Sequence, residues 1–213
     1  MNGSRPHPQP LPACRQARSQ RERGKKIIVA TTNQHKLREI GEILKGIRIQ
    51  GTKVNVRENG KTFEANAIKK VKAISLRPGE IAIADDSGLM VNCLNGKPGV
   101  KSARFATPPT PENLCCKLLK VMRDCRARGA KFVCAIAVAF PDGRIRVIKG
   151  IVHGRIVAEM RGVEGFGYDP VFRPCGYTKT FAEMSPAMKN RLSHRGLALK
   201  KLKQLLTVLG TRE

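Results

Sequence analysis

Short apolar runs of strand length alternate along this chain with segments whose apolar residues recur at helical spacing. No other feature narrows the fold as much. Ile27-Ile28-Val29-Ala30 is a β-branched run, stopped by polar Thr31-Thr32-Asn33. A helical pattern follows, with Leu37, Ile40, Ile43 and Leu44 on one face and Asn33 in position to cap it. Thr62-Phe63 starts a second helix with Ala67, Val71 and Ile74 as its stripe, and Pro78-Gly79 is the expected stop. Ile81-Ala82-Ile83-Ala84 reads as a buried strand ending at Asp85-Asp86-Ser87-Gly88, after which residues 89–91 can continue extended. Thr110-Pro111-Glu112 has the order of a helix cap, first-turn proline and acidic first turn. The helix it opens carries Leu114, Leu118, Val121, Met122 and Cys125. Residues 132–140 and 145–152 form a hairpin around Pro141-Asp142-Gly143. A glycine-rich loop covers 162–167, Ser185-Pro186 opens a short helix, and from Ser193 onward Leu197, Leu202, Leu205, Leu206 and Leu209 mark a last amphipathic helix. The pattern predicts an α/β fold without internal repeats.

The 213 residues amount to one generous domain or two small ones, enough for a core that needs no covalent staples. No apolar stretch approaches the ~18–20 residues of a membrane-spanning helix, so no membrane association is expected. Lysine and arginine number 41 against 16 aspartates and glutamates, a net charge of +25 that favours polyanionic partners. Residues 1–24 hold five arginines against one glutamate, so most of the excess belongs to the remaining chain. In that opening segment Pro6, Pro8, Pro10 and Pro12 alternate and no apolar run is present, which excludes a secretory signal. Its composition is also that of organellar transit peptides, but the prolines oppose an amphipathic helix. The expectation is a disordered basic extension over 1–24 and a folded domain over 25–213. Seven cysteines occur, at 14, 93, 115, 116, 125, 134 and 175, with no C-x-x-C spacing. Reduced thiols in a cytoplasmic protein are expected, rather than a zinc site or a disulfide framework.

Four segments carry candidate chemistry. Two carboxylates at the end of a buried strand, Asp85 and Asp86, leave the chain on opposite sides. One can then bond inward while the other offers hard oxygen ligands to Mg²⁺ in a cleft. The plainer reading of Asp85-Asp86-Ser87-Gly88 is a turn. Thr31-Thr32-Asn33-Gln34-His35-Lys36 joins strand to helix, where backbone N–H groups, hydroxyls and a lysine can cradle phosphates, or merely cap a helix. In Gly165-Phe166-Gly167-Tyr168-Asp169-Pro170 the phenylalanine can stack on a base or simply be buried in a turn. Lys189, Asn190, Ser193, His194 and Arg195 precede the last helix as polar and cationic groups, which is also how a solvated helix start looks.

Taken in order, residues 31–36, 85–88, Gly96-x-Pro98-Gly99-Val100-x-Ser102-Ala103-Arg104, 165–170, Lys179-Thr180-Phe181-Ala182-Glu183-Met184, and Lys189-Asn190 with Ser193-His194-Arg195 resemble one family. It is the inosine/xanthosine triphosphate pyrophosphatase family, which clears deaminated purine nucleotides. The resemblance runs from about Ile27 to the last helix. It implies a two-lobed fold, a long twisted mixed sheet flanked by helices with the active-site cleft between lobes, and a homodimer. It implies Mg²⁺-dependent hydrolysis of ITP, dITP or XTP to the monophosphate and pyrophosphate. By the same resemblance Asp86 is the catalytic residue and, with Glu58, a metal ligand. Thr31, Thr32, Asn33, Gln34, His35 and Lys36 form the triphosphate loop, and Ser87 is a substrate contact. Phe166, Gly167, Tyr168 and Asp169 form the base-side loop, and Lys189, His194 and Arg195 complete the substrate contacts.

The chain also departs from the family. Many members carry glycine at the positions of Thr32 and His35, so side chains here can narrow the loop or remove positive-φ freedom. Thr62-Phe63-Glu64-Ala65 lacks a glutamate in fourth place, so a reciprocal capping box is not expected. The charge motivates a competing class, a basic nucleic-acid-binding protein that uses this fold without turnover. Only 4% aromatic residues and the lack of tryptophan argue against it.

Overall fold

The computed structural model describes residues 26–74, 76 and 79–210; the expected basic extension over 1–24 lies outside them, as does Pro78. The elements are β1 (Lys26–Val29), α1 (Gln34–Ile43), β2 (Arg48–Gly51), α2 (Phe63–Lys72), β3 (Ile81–Val91), α3 (Pro111–Val121), β4 (Gly129–Ala139), β5 (Ile145–Ile156), β6 (Phe172–Pro174), α4 (Pro186–Leu192) and α5 (His194–Gly210). The strands form one curled sheet in the order β2-β1-β3-β4-β5-β6. Strand β1 runs parallel to β2 and β3, and the pairs from β3 to β6 are antiparallel. The architecture is the mixed-sheet α/β fold expected.

Alternate residues of the central strands go to opposite faces. Ile27, Val29, Ile83, Ile136 and Val138 pack under Ile40 of α1, Leu44 just after its end, and Ala198, Leu199 and Leu202 of α5. Ile28, Ala82, Ala84, Ala135 and Ala137 face α2 through Phe63, Ala67 and Val71. A third cluster joins the far ends of β3 and β4 to Leu114, Leu118 and Met122, with Phe132, Tyr168, Phe172 and Phe181 at its centre. Each large side chain removed from water in this way contributes about 1.5–3 kcal/mol.

Local signals place the helix starts. Asn33 Oδ1 accepts from Lys36 N at 3.2 Å and Thr110 Oγ1 from Asn113 N at 3.2 Å. Ser185 Oγ accepts from Met188 N at 3.3 Å. Each such cap stabilises by about 1 kcal/mol. Thr62 Oγ1 accepts from Ala65 N at 3.1 Å, so α2 keeps half of the box although Ala65 returns nothing.

Several expectations are corrected. Strand β3 does not end at Asp85 but pairs with β4 without interruption, from Ala82 opposite Ala139 to Val91 opposite Ala130. The turn reading of residues 85–88 therefore fails, because ten consecutive residues of cross-strand pairing outweigh local turn preference. Gly88 is needed for packing: a Cβ there would lie 2.4 Å from Ser102 Oγ and 2.5 Å from Gly99 O. Helix α2 stops at Lys72, ahead of the expected stop at Pro78-Gly79. Val121 ends α3 and is 46% exposed, outside the buried stripe assigned to it. Strands β2 and β6, of four and three residues, have too little alternation to be seen in sequence and exist through their partners.

Candidate active site

The site grows from the middle of β3, where consecutive side chains diverge. Asp85 points toward α1 and α5. Its Oδ1 accepts from Lys36 Nζ at 3.0 Å, and its Oδ2 from Arg195 Nη2 at 3.0 Å and Ser87 Oγ at 3.1 Å. Burial would raise its pKa, but Lys36 and Arg195 outweigh burial and hold the carboxyl far below the usual range. Asp86 points to the opposite face, toward α2. Its Oδ2 accepts from Asn66 Nδ2 at 3.0 Å and its Oδ1 from Lys70 Nζ at 3.3 Å. Here burial wins: the pKa of Asp86 is raised despite Lys70 and Asn66, and the charge of Glu58 adds to the rise.

Lys70 Nζ also donates to Asp85 O at 2.7 Å and lies 3.6 Å from Glu58 Oε1. Asn66 Oδ1 accepts from Gly60 N at 2.7 Å, and Arg104 Nη2 donates to Glu58 O at 3.1 Å, so the segment carrying Glu58 is pinned beside Asp86. Glu58 and Asp86 thus share one ammonium. No group of three or more His, Cys, Asp or Glu side chains among the described residues is arranged to hold a metal. Two carboxylates do fit Mg²⁺, which takes one or two of them and completes its shell with water and substrate phosphate.

Thr31, Thr32, Asn33, His35 and Lys36 line one wall of a cleft of about 600 Å³ at the start of α1, while Gln34 lies outside that wall. Thr31 Oγ1 accepts from Asn33 N at 3.2 Å. Neither Thr32 nor His35 has a left-handed backbone, so their side chains do not strain the loop. Ser87, Glu58, Lys70 and Asp86 form the floor, and Ser102, Arg104, Phe166, Gly167, Tyr168 and Asp169 the far side.

On that far side, Asp169 Oδ2 accepts from Phe166 N at 2.8 Å and Lys189 Nζ at 2.7 Å. Burial nevertheless lifts the Asp169 pKa. Tyr168 is a core residue whose hydroxyl donates to Ser102 O at 2.9 Å. The Gly167 carbonyl accepts from Cys115 Sγ.

Lys189, His194 and Arg195 do not border the cleft; Lys189 and Arg195 lie against the Phe166 ring, and all three are buried. Lys189 Nζ donates to Glu39 Oε1 at 2.7 Å, and Arg195 Nη1 also donates to Glu39. Asn190 Nδ2 donates to Glu42 Oε2 at 2.6 Å. His194 stacks on Phe132 at 4.6 Å between ring centroids, and its Nδ1 finds no hydrogen-bond partner among the described residues. Burial first, then Arg195 and Lys189, push its pKa well below 6.5.

Sequence reasoning missed Asn66, Lys70 and Glu39. The first two leave a trace: spaced by four, they are polar residues inside the apolar stripe of Phe63, Ala67 and Val71, and both are buried. Glu39 looks like any surface glutamate until α4 and α5 fold over it.

Residues 27–205 match the Ham1 family. The chain is 44% identical over 194 residues to the dITP/XTP pyrophosphatase of Desulforamulus reducens, covering 86% of this chain and 96% of that protein. It is 45% identical over 185 residues to the dITP/XTP pyrophosphatase of Desulfotalea psychrophila, covering 83% of each. The Ham1 protein of Staphylococcus aureus superposes with a TM-score of 0.77 at 38% identity, covering 86% of this chain and 98% of that one. A nucleoside-triphosphatase / dITP/XTP pyrophosphatase from Mycobacterium abscessus gives 0.65 at 38% identity, covering 83% and 98%. With a family match over nearly the whole described chain, relatives above 40% identity and the same fold, this chain belongs to the Ham1 family.

Proposed function

We propose that this protein hydrolyses triphosphates of deaminated purine nucleosides (ITP, dITP or XTP) to the monophosphate and pyrophosphate. One observation carries the reading. A buried carboxyl of raised pKa, Asp86, stands beside a second carboxylate on the floor of a cleft whose other walls offer a cationic helix start and an aromatic ring. The names of the relatives support the same substrate class.

In this reading the N–H groups at the start of α1, the Thr31 hydroxyl and Lys36 bind phosphate oxygens. Water attacks the α-phosphorus, its proton passes to Asp86, and the bond to the bridging oxygen of the leaving pyrophosphate breaks. Glu58 and Asp86 would hold Mg²⁺, which when bound neutralises phosphate charge and acidifies water. Ser87 contacts substrate. Gly167, Tyr168 and Asp169 shape the loop that presents Phe166 to the base. Lys189, His194 and Arg195 supply donors for a 6-oxo group; adenine, with an amino group there, would leave them unpaired.

The same reading includes a homodimer and a cytoplasmic setting; six unpaired cysteines among the described residues suit a reducing compartment. A nucleic-acid-binding role without turnover is not favoured, since the relatives carry enzyme names.

The test is pyrophosphate release from ITP, XTP, dGTP and ATP with Mg²⁺, for wild type and Asp86→Asn. Fast release from ITP or XTP, lost in the variant, is expected. Equal rates on all four substrates would remove the selectivity, and no release from any of them would remove the activity. Light scattering of the same sample should give twice the monomer mass.

A further inference from the structure

Phe166 is gripped on several sides. Its ring centroid is 5.3 Å from that of His35, with the planes 30° apart. Lys189 Nζ lies 4.7 Å from the same centroid and Arg195 Cζ 5.5 Å. Both cations are nearly sealed, at 5% and 2% exposure, and neither borders the cleft. His35 and Glu39 are one helical turn apart on α1, so a single helix face carries both the ring on Phe166 and the carboxylate that pairs Lys189 and Arg195. Gly165 and Gly167 flank Phe166 with φ of 81° and 65°. Glycine on both sides gives the ring backbone freedom to swing that other residues would deny.

We propose that His35 latches Phe166 over Lys189 and Arg195, so that a purine reaches those cations only by breaking the His35–Phe166 stack. The inference rests on the proposed function, in which the base docks at this loop. His35 is then a positioning residue that acts through Phe166, not a phosphate ligand. A stack of two aromatic rings biases the closed state by about two- to tenfold, and apparent affinity falls by that factor. The base subsite carries the whole effect and the phosphate loop none of it.

The experiment measures KM and kcat for ITP, and inhibition constants for inosine monophosphate and for pyrophosphate, in wild type, His35→Ala, His35→Phe and Phe166→Ala. His35→Ala is expected to lower KM and the inosine monophosphate constant by about two- to tenfold, with the pyrophosphate constant unmoved. His35→Phe, which keeps a ring, restores wild-type values. Unchanged or raised KM in His35→Ala overturns the latch, and an equal shift for pyrophosphate makes His35 a phosphate contact instead. If His35→Ala lowers KM by the same factor in a Phe166→Ala background, His35 does not act through Phe166 and the latch falls, while turnover of ITP by wild type leaves the enzyme reading standing. A wild type inert toward ITP overturns both.

Discussion

Asp85 and Asp86 are neighbours in β3 whose pKa values move in opposite directions, one held far down by Lys36 and Arg195 and the other raised by burial. The pleat separates them onto two faces with two electrostatic environments. Asp85→Asn leaves the buried Arg195 guanidinium short of charge and should cost about 3–5 kcal/mol in urea unfolding. Asp86→Asn removes a carboxyl that burial already disfavours in its charged form. It should leave stability within about 1 kcal/mol of wild type while turnover falls by a factor on the order of 10² or more. Equal destabilisation by the two changes would contradict the division of roles.

The loop presenting Phe166 depends on Gly165. Its φ is 81°, and a Cβ would lie 2.2 Å from Asp169 Oδ2. Gly165→Ala should therefore both strain the backbone and push Asp169 off Phe166 N and Lys189, destabilising by about 2–3 kcal/mol and raising KM for ITP. Gly167→Ala meets open space at φ 65° and should cost only about 1 kcal/mol, from strain alone. Thermal melts and KM values for the pair check the contrast.

Acid should weaken the fold through His194. Its folded pKa lies well below 6.5, because burial and the cations Arg195 and Lys189 disfavour imidazolium. Above pH 6.5 the ring is neutral in both states and stability is full. Below that, the unfolded chain binds a proton that the folded one refuses, so stability falls with decreasing pH toward the folded pKa, by at most about 1.4 kcal/mol per unit. Urea titrations between pH 7 and 5 should show this slope, and His194→Phe, which preserves the stack on Phe132, should flatten it.

Helix α5 seats on β5 at Gly150, where a Cβ would stand 2.0 Å from His194 O and 2.6 Å from Ala198 N. Gly150→Ala should cost about 3 kcal/mol or more by prying α5, with Arg195, off the sheet. Gly41→Ala, in the last turn of α1 with nothing within 4 Å, should instead stabilise by about 0.5 kcal/mol. Comparing the two denaturation midpoints tests whether the close approach sets the cost.

The amino-acid order alone determined the α/β class, the helix starts at Asn33, Thr62, Thr110 and Ser185, and the hairpin at Pro141-Asp142-Gly143, because caps, turns and periodicity act within a few residues. It also pointed to the segments around Asp86 and Phe166 through their resemblance to one family. Tertiary structure decided what those segments touch. Asp85-Asp86-Ser87-Gly88 has turn chemistry, yet pairing with Ile136, Ala135, Cys134 and Val133 keeps it in a strand. Lys70 became the counter-ion of Asp86, and Glu39 that of Lys189 and Arg195, only when helices distant in sequence closed over the sheet. Tyr168 and His194 are buried because Ser102 and Phe132 are there to receive them, an arrangement that no linear reading shows. Local propensity is written within one helical turn, whereas burial and charge pairing depend on residues up to 156 positions apart, and no short window of sequence contains both partners.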